Sequence, residues 1–291
     1  MKRILLVSVA TGSLFLLFSL SSISAHAPMQ VAITPTAFNY LPLIVKNYPP
    51  TPTSPPPPGT ALFETVLWVA NPSGYATTPD NSSLDLGRAD GEDFTIETFF
   101  YVSNTTDNDP VIDLLTRKDM SYQVNIKFNS TNPDWVSFKI WAADGSSVTL
   151  SYLTHLMVGW HHVAAVFDNE FTANEDLLAI YLDGSRVARS ADENIHVDWT
   201  PGIPNSTSPL LVGGVPFGTA GFSGFIDEMR FSSIVRYSDT SYTVPTAAFT
   251  ADSNTRALWH FNEVSGSTIF ADSSGNGNTL TGQNGAQTHN P

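Results

Sequence analysis

The chain has no cysteine. That excludes a disulfide framework, a lipid-modified N-terminal cysteine and all thiol chemistry. A cysteine-free exported protein has to be stabilised by a large core or by bound metal. Positive charge is also scarce, with 13 Lys and Arg against 27 Asp and Glu. Such a field repels nucleic acid and anionic lipid and attracts cations, so no nucleic-acid partner is expected. Beyond Leu20 no apolar run is long enough to span a bilayer as a helix. There is no Walker loop, no Rossmann glycine fingerprint, no Gly-x-Ser-x-Gly elbow and no Leu-Pro-x-Thr-Gly string.

The sequence divides by composition. Lys2 and Arg3, the apolar stretch Ile4–Leu20 and the closing Ala25-His26-Ala27 form a signal peptide over 1–27. An uncleaved anchor is the alternative, although Thr11, Gly12 and Ser13 interrupt the apolar stretch. Cleavage leaves 11 basic residues against 27 acidic ones, a net charge of −16. Residues 28–59 are an N-terminal segment ending in a proline-rich spacer from Tyr48 to Gly59, extended and solvated because proline runs can neither pair in a ladder nor build a core. Within it, Phe38–Lys46 is an apolar island. It could be an added strand, a docking peptide or a segment packing back on the domain, and its residues do not choose.

Residues 60–291 read as one β-domain. Phe94–Val102 is rich in β-branched and aromatic residues, and Gln123–Phe128 and Val136–Trp141 alternate apolar with polar. Trp160–Phe167 is strand-like, Leu177–Leu182 runs into the hairpin signal Asp183-Gly184, and Leu210–Val212, Phe225–Phe231 and Ala257–Phe261 follow. Short strands joined by Gly, Pro, Asn and Asp turns predict an all-β, two-sheet antiparallel jelly-roll sandwich.

Four segments carry a resemblance. Leu84-Asp85-Leu86 with Asp93–Glu97, Gly159–Ala164, Leu178–Gly184 and Gly224–Phe231 arrive in the order found in the laminin-G-like, concanavalin A-like jelly-roll family. The resemblance spans Ala61 to Gly282. It implies two antiparallel sheets of a kind found in extracellular lectins, adhesion modules and some glycosidases, and fold alone does not choose among these. Ala257–Glu263 and Asp272–Asn278 resemble a motif often seen at the start of such domains, here at the end. Terminal strands lying side by side would let either end supply it; a truncated second copy is the alternative.

The loop Asp272–Asn278 sets oxygen-bearing side chains at alternate positions, as a hard cation requires. Asp272, Ser274 and Asn276 followed by Gly277 imitate the opening of an EF-hand, but position twelve is Gln283 and no helices flank it. The resemblance implies instead a structural Ca²⁺ held by this loop and a neighbouring acid, first Asp227, then Glu228 and Glu263. The alternative is a turn that uses Asn and Gly for positive φ and needs no metal.

Retaining glycoside hydrolysis needs two carboxyls about 5 Å apart. No Glu-x-Asp-x-x-Glu strand is present, and the adjacent pair Asp227-Glu228 is expected to point to opposite faces of its strand. No catalytic residue is therefore assigned. His161 and His162 are likewise expected on opposite faces, without metal-ligand spacing. Sugar binding in such sandwiches uses aromatic faces, and Trp135, Trp141, Trp199 and Tyr122 are the candidates, with burial as the alternative for each. Sequons at Asn81, Asn104, Asn129 and Asn205 matter only in a eukaryotic secretory route. The expectation is a secreted or cell-surface, non-catalytic module that recognises extracellular glycan and has a structural calcium. A structural or adhesive module binding cell-surface protein comes second and a glycoside hydrolase third. Expression in a secreting host should release a chain whose N-terminal sequencing starts at Pro28; a start at Met1 would favour the anchor.

Overall fold

The computed structural model describes residues 62–69, 73–88, 92–102, 113–127, 134–169, 178–193, 195, 202–216 and 221–291. The signal peptide, the Phe38–Lys46 island and the proline-rich spacer lie outside them, as do Trp199, Asn104 and Asn129.

The strands follow the period-2 pattern. In β3 (Phe94–Val102), Phe94, Ile96, Phe100 and Val102 join the main core, and Glu97, Phe99 and Tyr101 face the other way. In β5 (Tyr122–Lys127) and β6 (Asp134–Trp141), Tyr122, Val124, Ile126, Val136, Phe138 and Ile140 turn inward. The remaining strands are β1 (Val66–Val69), β2 (Tyr75–Thr78), β4 (Asp113–Lys118), β7 (Ser147–Thr154), β8 (Gly159–Phe167), β9 (Leu178–Leu182), β10 (Ser185–Arg189) and β11 (Leu210–Val212). They continue with β12 (Gly224–Ser232), β13 (Thr255–Trp259), β14 (Ile269–Phe270), β15 (Leu280–Gln283) and β16 (Gln287–His289). No α-helix occurs among the described residues.

These strands form two antiparallel sheets. The first runs β10-β9-β8-β3-β12-β1-β16, with β13 also paired to β12, and the second runs β14-β15-β2-β11-β4-β5-β6-β7. Inward side chains of both make one apolar layer, the predicted jelly-roll sandwich. The predicted hairpin forms at Asp183-Gly184, where both residues take positive φ (47° and 86°), as a two-residue I′ turn demands. The first and last described strands meet: β1 pairs with β16, and β2 pairs with β15. β12 has β1 along the first part of one edge and β13 along the second, so a C-terminal strand extends the line begun by an N-terminal one.

The outward faces of the two sheets differ. Residues 233–254, between β12 and β13, cross the outside of the first sheet. The crossing is fixed by Arg236 N–H donating to Thr95 Oγ1 (3.0 Å), by Tyr242 N–H donating to the Gly184 carbonyl (2.8 Å), and by Phe249 N–H donating to Glu228 Oε2 (2.8 Å). Tyr237, Tyr242, Val244 and Phe249 pack beneath it against Tyr181, His162, Phe99 and Trp160. Under this cover lies Glu97, fully buried, which accepts from Arg230 Nε (2.8 Å) and Tyr237 Oη (2.6 Å) and stands 3.5 Å from His162 Nε2.

Burial alone would push the Glu97 pKa up, but the His162 hydrogen bond and the Arg230 guanidinium outweigh it and hold it below the ordinary glutamate value. A depressed folded pKa contributes stability above the unfolded value of 4.5, lost as pH falls through the folded one. Breaking a buried pair by removing one partner costs roughly 3–5 kcal/mol. Glu97→Gln should therefore lower the urea-unfolding free energy by about 3 kcal/mol at pH 7 and flatten its decline between pH 5 and lower pH; a loss under about 1 kcal/mol would contradict this role.

Candidate functional site

The loop after β14 is held from inside. Asp272 Oδ1 accepts from the N–H groups of Leu258 (3.1 Å) and Ser274 (2.9 Å), and Oδ2 accepts from Asn278 N–H (2.8 Å) and Ser274 Oγ–H (2.9 Å). Asn276 donates through Nδ2 to the carbonyls of Thr255 (3.2 Å) and Arg256 (3.0 Å). Asn278 donates to the Arg256 carbonyl (2.9 Å) and Ser83 Oγ (2.8 Å), and its carbonyl takes the Trp259 indole N–H (2.8 Å). Gly275 and Gly277 take the positive φ expected of them. Asp272 thus works as an anionic turn cap that ties the loop to β13.

The three acids expected to complete a calcium shell are elsewhere engaged or isolated. Glu263 Oε1 accepts from Ala271 N–H (2.7 Å). Glu228 accepts from Phe249 N–H and His260 Nδ1 (2.8 Å). Asp227 is fully buried, and neither of its oxygens has a hydrogen-bond partner. Burial and then the neighbouring Glu228 charge push its carboxyl well above the usual range, toward the neutral form. Among the described residues no three His, Asp or Glu side chains are close enough to share an ion. Three N–H groups and the Ser274 hydroxyl already donate to the Asp272 carboxylate, so Asp272, Ser274, Asn276, Asp227, Glu228 and Glu263 as placed do not offer Ca²⁺ its six to eight oxygens.

Asp227 and Glu228 also correct a simple expectation of alternation. The β12–β3 register slips between Asp227 and Arg230, and Glu228 takes φ 48°. This bulge lies where the neighbour of β12 changes from β1 to β13. Asp227 stands opposite Phe99, and Glu228 holds Phe249; both aromatic rings belong to the outer cluster under residues 233–254. The inserted residue cancels the reversal of facing that adjacent strand positions normally show.

The histidine expectation stands: His161 stacks on Phe100 of the core, and His162 meets Phe99 and Tyr242 outside. His161 Nδ1 lies 2.7 Å from Asp183 Oδ2 and Nε2 lies 2.8 Å from the Met157 carbonyl, so both nitrogens face acceptors. Burial lowers its pKa, but the Asp183 carboxylate more than compensates and the net shift is upward. Both ring nitrogens are engaged, so His161 ties the β9–β10 turn to the loop before β8.

The aromatic candidates separate. Tyr122 is a core residue, fully buried with its hydroxyl donating to the Leu84 carbonyl (2.9 Å); the β4–β5 turn placed it at a strand's first inward position. Trp135 and Trp141 share the outward face of β6 six residues apart, about 20 Å along a strand. Trp141 is only 9% exposed, with Lys139 Nζ 4.4 Å and the Arg117 guanidinium 6.0 Å from its ring centre. Trp135 is half-buried, beside Lys127 Nζ at 4.8 Å.

Between the two tryptophans the outer face of the second sheet is polar, with Gln123 and Lys139 half-buried and Asn125 and Ser137 only 3% exposed. Gln123 Nε2 donates to Asn125 Oδ1 (2.6 Å), and Asn125 Nδ2 donates to Ser137 Oγ (3.3 Å). Register extends the rows to Lys139 and Thr149 and to Ser151, with Thr149 and Ser151 exposed. Gln123, Asn125, Ser137 and Lys139 were legible as the polar half of two alternating strands; what hid them was the lack of any rule saying which outer face a later segment covers.

Residues 70–240 match the family described as the Concanavalin A-like lectin/glucanases superfamily. A putative carbohydrate binding protein from Bacteroides ovatus is 16% identical, with 78% of this chain and 60% of that one covered at a TM-score of 0.48. This chain thus spans less than two thirds of that protein's length. The CBM40 module of a Ruminococcus gnavus IT-sialidase, bound to alpha2,3 sialyllactose, is 16% identical over 60% of this chain and 91% of that one, with a TM-score of 0.43. A heptameric pentraxin from Limulus polyphemus is 12% identical over 58% and 76%, with a TM-score of 0.38. No curated protein matches the chain.

Asp272→Ala should lower the melting midpoint by several degrees, because buried N–H groups lose their acceptor at about 1–3 kcal/mol. Millimolar Ca²⁺ should leave the unsubstituted midpoint unchanged in differential scanning calorimetry. A rise of several degrees with Ca²⁺ would show that the loop reorganises around an ion.

Proposed function

Because the chain belongs to the Concanavalin A-like lectin/glucanases superfamily, we propose that its domain is an exported, non-catalytic module that binds glycan on the outer face of β5, β6 and β7. One observation carries this reading: residues 233–254 close much of the outer face of the first sheet, and on the second the half-buried Gln123, Lys139 and Trp135 and the exposed Thr149 and Ser151 bring amide, ammonium, aromatic and hydroxyl groups to one face. Sugars are recognised by such mixtures, with hydroxyls meeting amides and the apolar side of a ring meeting an aromatic edge or face.

The placement of the acids supports binding over hydrolysis. Glu97, Asp227 and Glu228 are fully buried on the first sheet, beneath the crossing segment, where a glycosidic bond has no access. Asp134, at the head of β6, is also buried and accepts from Leu156 N–H (2.9 Å). Hydrolysis needs two carboxyls on opposite sides of a bound ring.

A second reading has an observation of its own. Leu153, Met157 and Val158 are 58%, 65% and 56% exposed at the end of β7 and in the loop after it, an apolar tip suited to a protein contact at the cell surface. The two readings separate by variant. On a glycan array followed by titration calorimetry, Trp135→Ala should weaken glycan binding about tenfold or more, at roughly 1.4 kcal/mol per decade, and Met157→Ser should leave it unchanged. A protein that recognises no glycan, and whose cell adhesion falls with Met157→Ser, would favour the adhesive reading.

A further inference from the structure

The outer face of the first sheet carries a second feature beside the segment that crosses it. Residues 233–254 pack over Phe99, His162 and Tyr181, and next to these lies a row of rings. Trp68 of β1, Phe225 of β12, Tyr101 of β3 and Trp160 of β8 stand in register across four neighbouring strands. Trp68, Phe225 and Tyr101 are half-buried, and the half-buried His289 of β16 stacks parallel on Phe225 at 5.8 Å. Tyr101 meets Phe225 at 5.8 Å and Trp160 at 5.5 Å, and Trp68 meets His289 at 5.2 Å, so the rings form one continuous strip. A contiguous apolar strip at a protein surface marks an interaction site. We propose that this strip is the dock of the chain's own proline-rich spacer, which lays one ridge of a polyproline II helix across the rings.

Spacing identifies the occupant. Pro49, Pro52, Pro55 and Pro58 recur at every third position of the spacer. A polyproline II helix has three residues per turn and rises about 3.1 Å per residue, so these prolines share one ridge with a repeat of about 9.3 Å. Trp68 and Tyr101 stand two strand spacings apart, which is about 9.6 Å. Successive prolines of the ridge therefore match alternate rings of the strip.

The spacer also ends where the strip begins. Leu62, the first described residue, follows Pro58 by four positions. Phe63 stacks on Trp160 at 4.2 Å, at the β8 end of the strip. Four residues of chain reach at most about 14 Å, so Pro58 is tethered beside the rings. A short tether and a preformed extended shape leave little entropy to lose on docking.

The polar chemistry is complementary. Proline has no N–H, and a polyproline II helix makes no internal hydrogen bonds, so the spacer offers carbonyl acceptors and lacks donors. Trp160 Nε1 is buried without a hydrogen-bond partner among the described residues, and Trp68 and Tyr101 bring an indole N–H and a phenol O–H to the same row. Docked in this way the spacer stays extended, with its other two ridges in water, and the direction in which it leaves the domain is fixed.

The test is acrylamide quenching of tryptophan fluorescence in the purified chain. Replacing the ridge, with Pro49→Ser, Pro52→Ser, Pro55→Ser and Pro58→Ser together, should raise quenching as Trp68 loses its cover. With Trp68→Phe in both chains that difference should vanish. Pro50→Ser, Pro56→Ser and Pro57→Ser together lie off the ridge and should leave quenching at the parent's value. A synthetic peptide spanning Tyr48 to Gly59 should restore protection in the ridge variant and leave the parent, whose strip is filled, unchanged. Equal quenching in all three chains, or an equal rise in both variants, would overturn the proposal. So would a parent that gains as much protection from the peptide as the ridge variant does, which would assign the strip to a polyproline segment of another molecule. Glycan binding is read on the other sheet through Trp135→Ala, so neither result decides it.

Discussion

Glu97 is a carboxylate with no water to turn to, and its pairing arrangement shapes the rest of the molecule. A buried charge of this kind persists only if donors surround it. Arg230 comes from the neighbouring strand, His162 from the strand on the other side, and Tyr237 from the segment that crosses above. The same segment is fastened at Gly184, Glu228 and, through the ion pair of Arg236 with Asp252, to itself. The apolar cost of leaving Phe99, Trp160 and Tyr181 in solvent is removed by the same crossing. Much of one outer face of the sandwich is thereby lost to ligands.

That asymmetry gives the surface its division of labour. The covered face holds buried acids and aromatic packing, and the outer face of the second sheet is polar and free of outward carboxylates on its last three strands. Trp135 and Trp141 mark its ends and do not form one stacking platform, because six residues on one strand separate them.

The bulge at Asp227 and Glu228 has its own place in this scheme. β12 serves β3 along one edge and two successive strands along the other, and the inserted residue sits at the handover. The extra residue turns Glu228 toward Phe249 and His260, where it helps to hold the crossing segment, and leaves Asp227 buried beside it without a partner. The pairing of β1 with β16 and β2 with β15 brings the first and last described strands into the same region of the sandwich, which is why a late strand and loop can stand where an early one would do. The Asp272 loop fits the same pattern: its oxygens are spent on the chain's own N–H groups.

The sequence by itself determined the class of fold. Period-2 alternation in β3, β5 and β6, the Asp183-Gly184 turn and the positive-φ glycines of the Asp272 loop are local instructions, each enforced by sterics or by one-sided burial over a few residues. Tertiary structure alone decided the rest: the facing of Asp227 and Glu228, the burial of Tyr122, the completed cap at Asp272 and the face that residues 233–254 cover. The first two depend on partners 21 or more residues away, such as Phe249 for Glu228 and Leu84 for Tyr122, and the Asp272 cap, local at Ser274 and Asn278, is completed by Leu258 N–H 14 residues back. Local pattern says which side of a strand a residue is on; only the assembled sheets say what lies across from it.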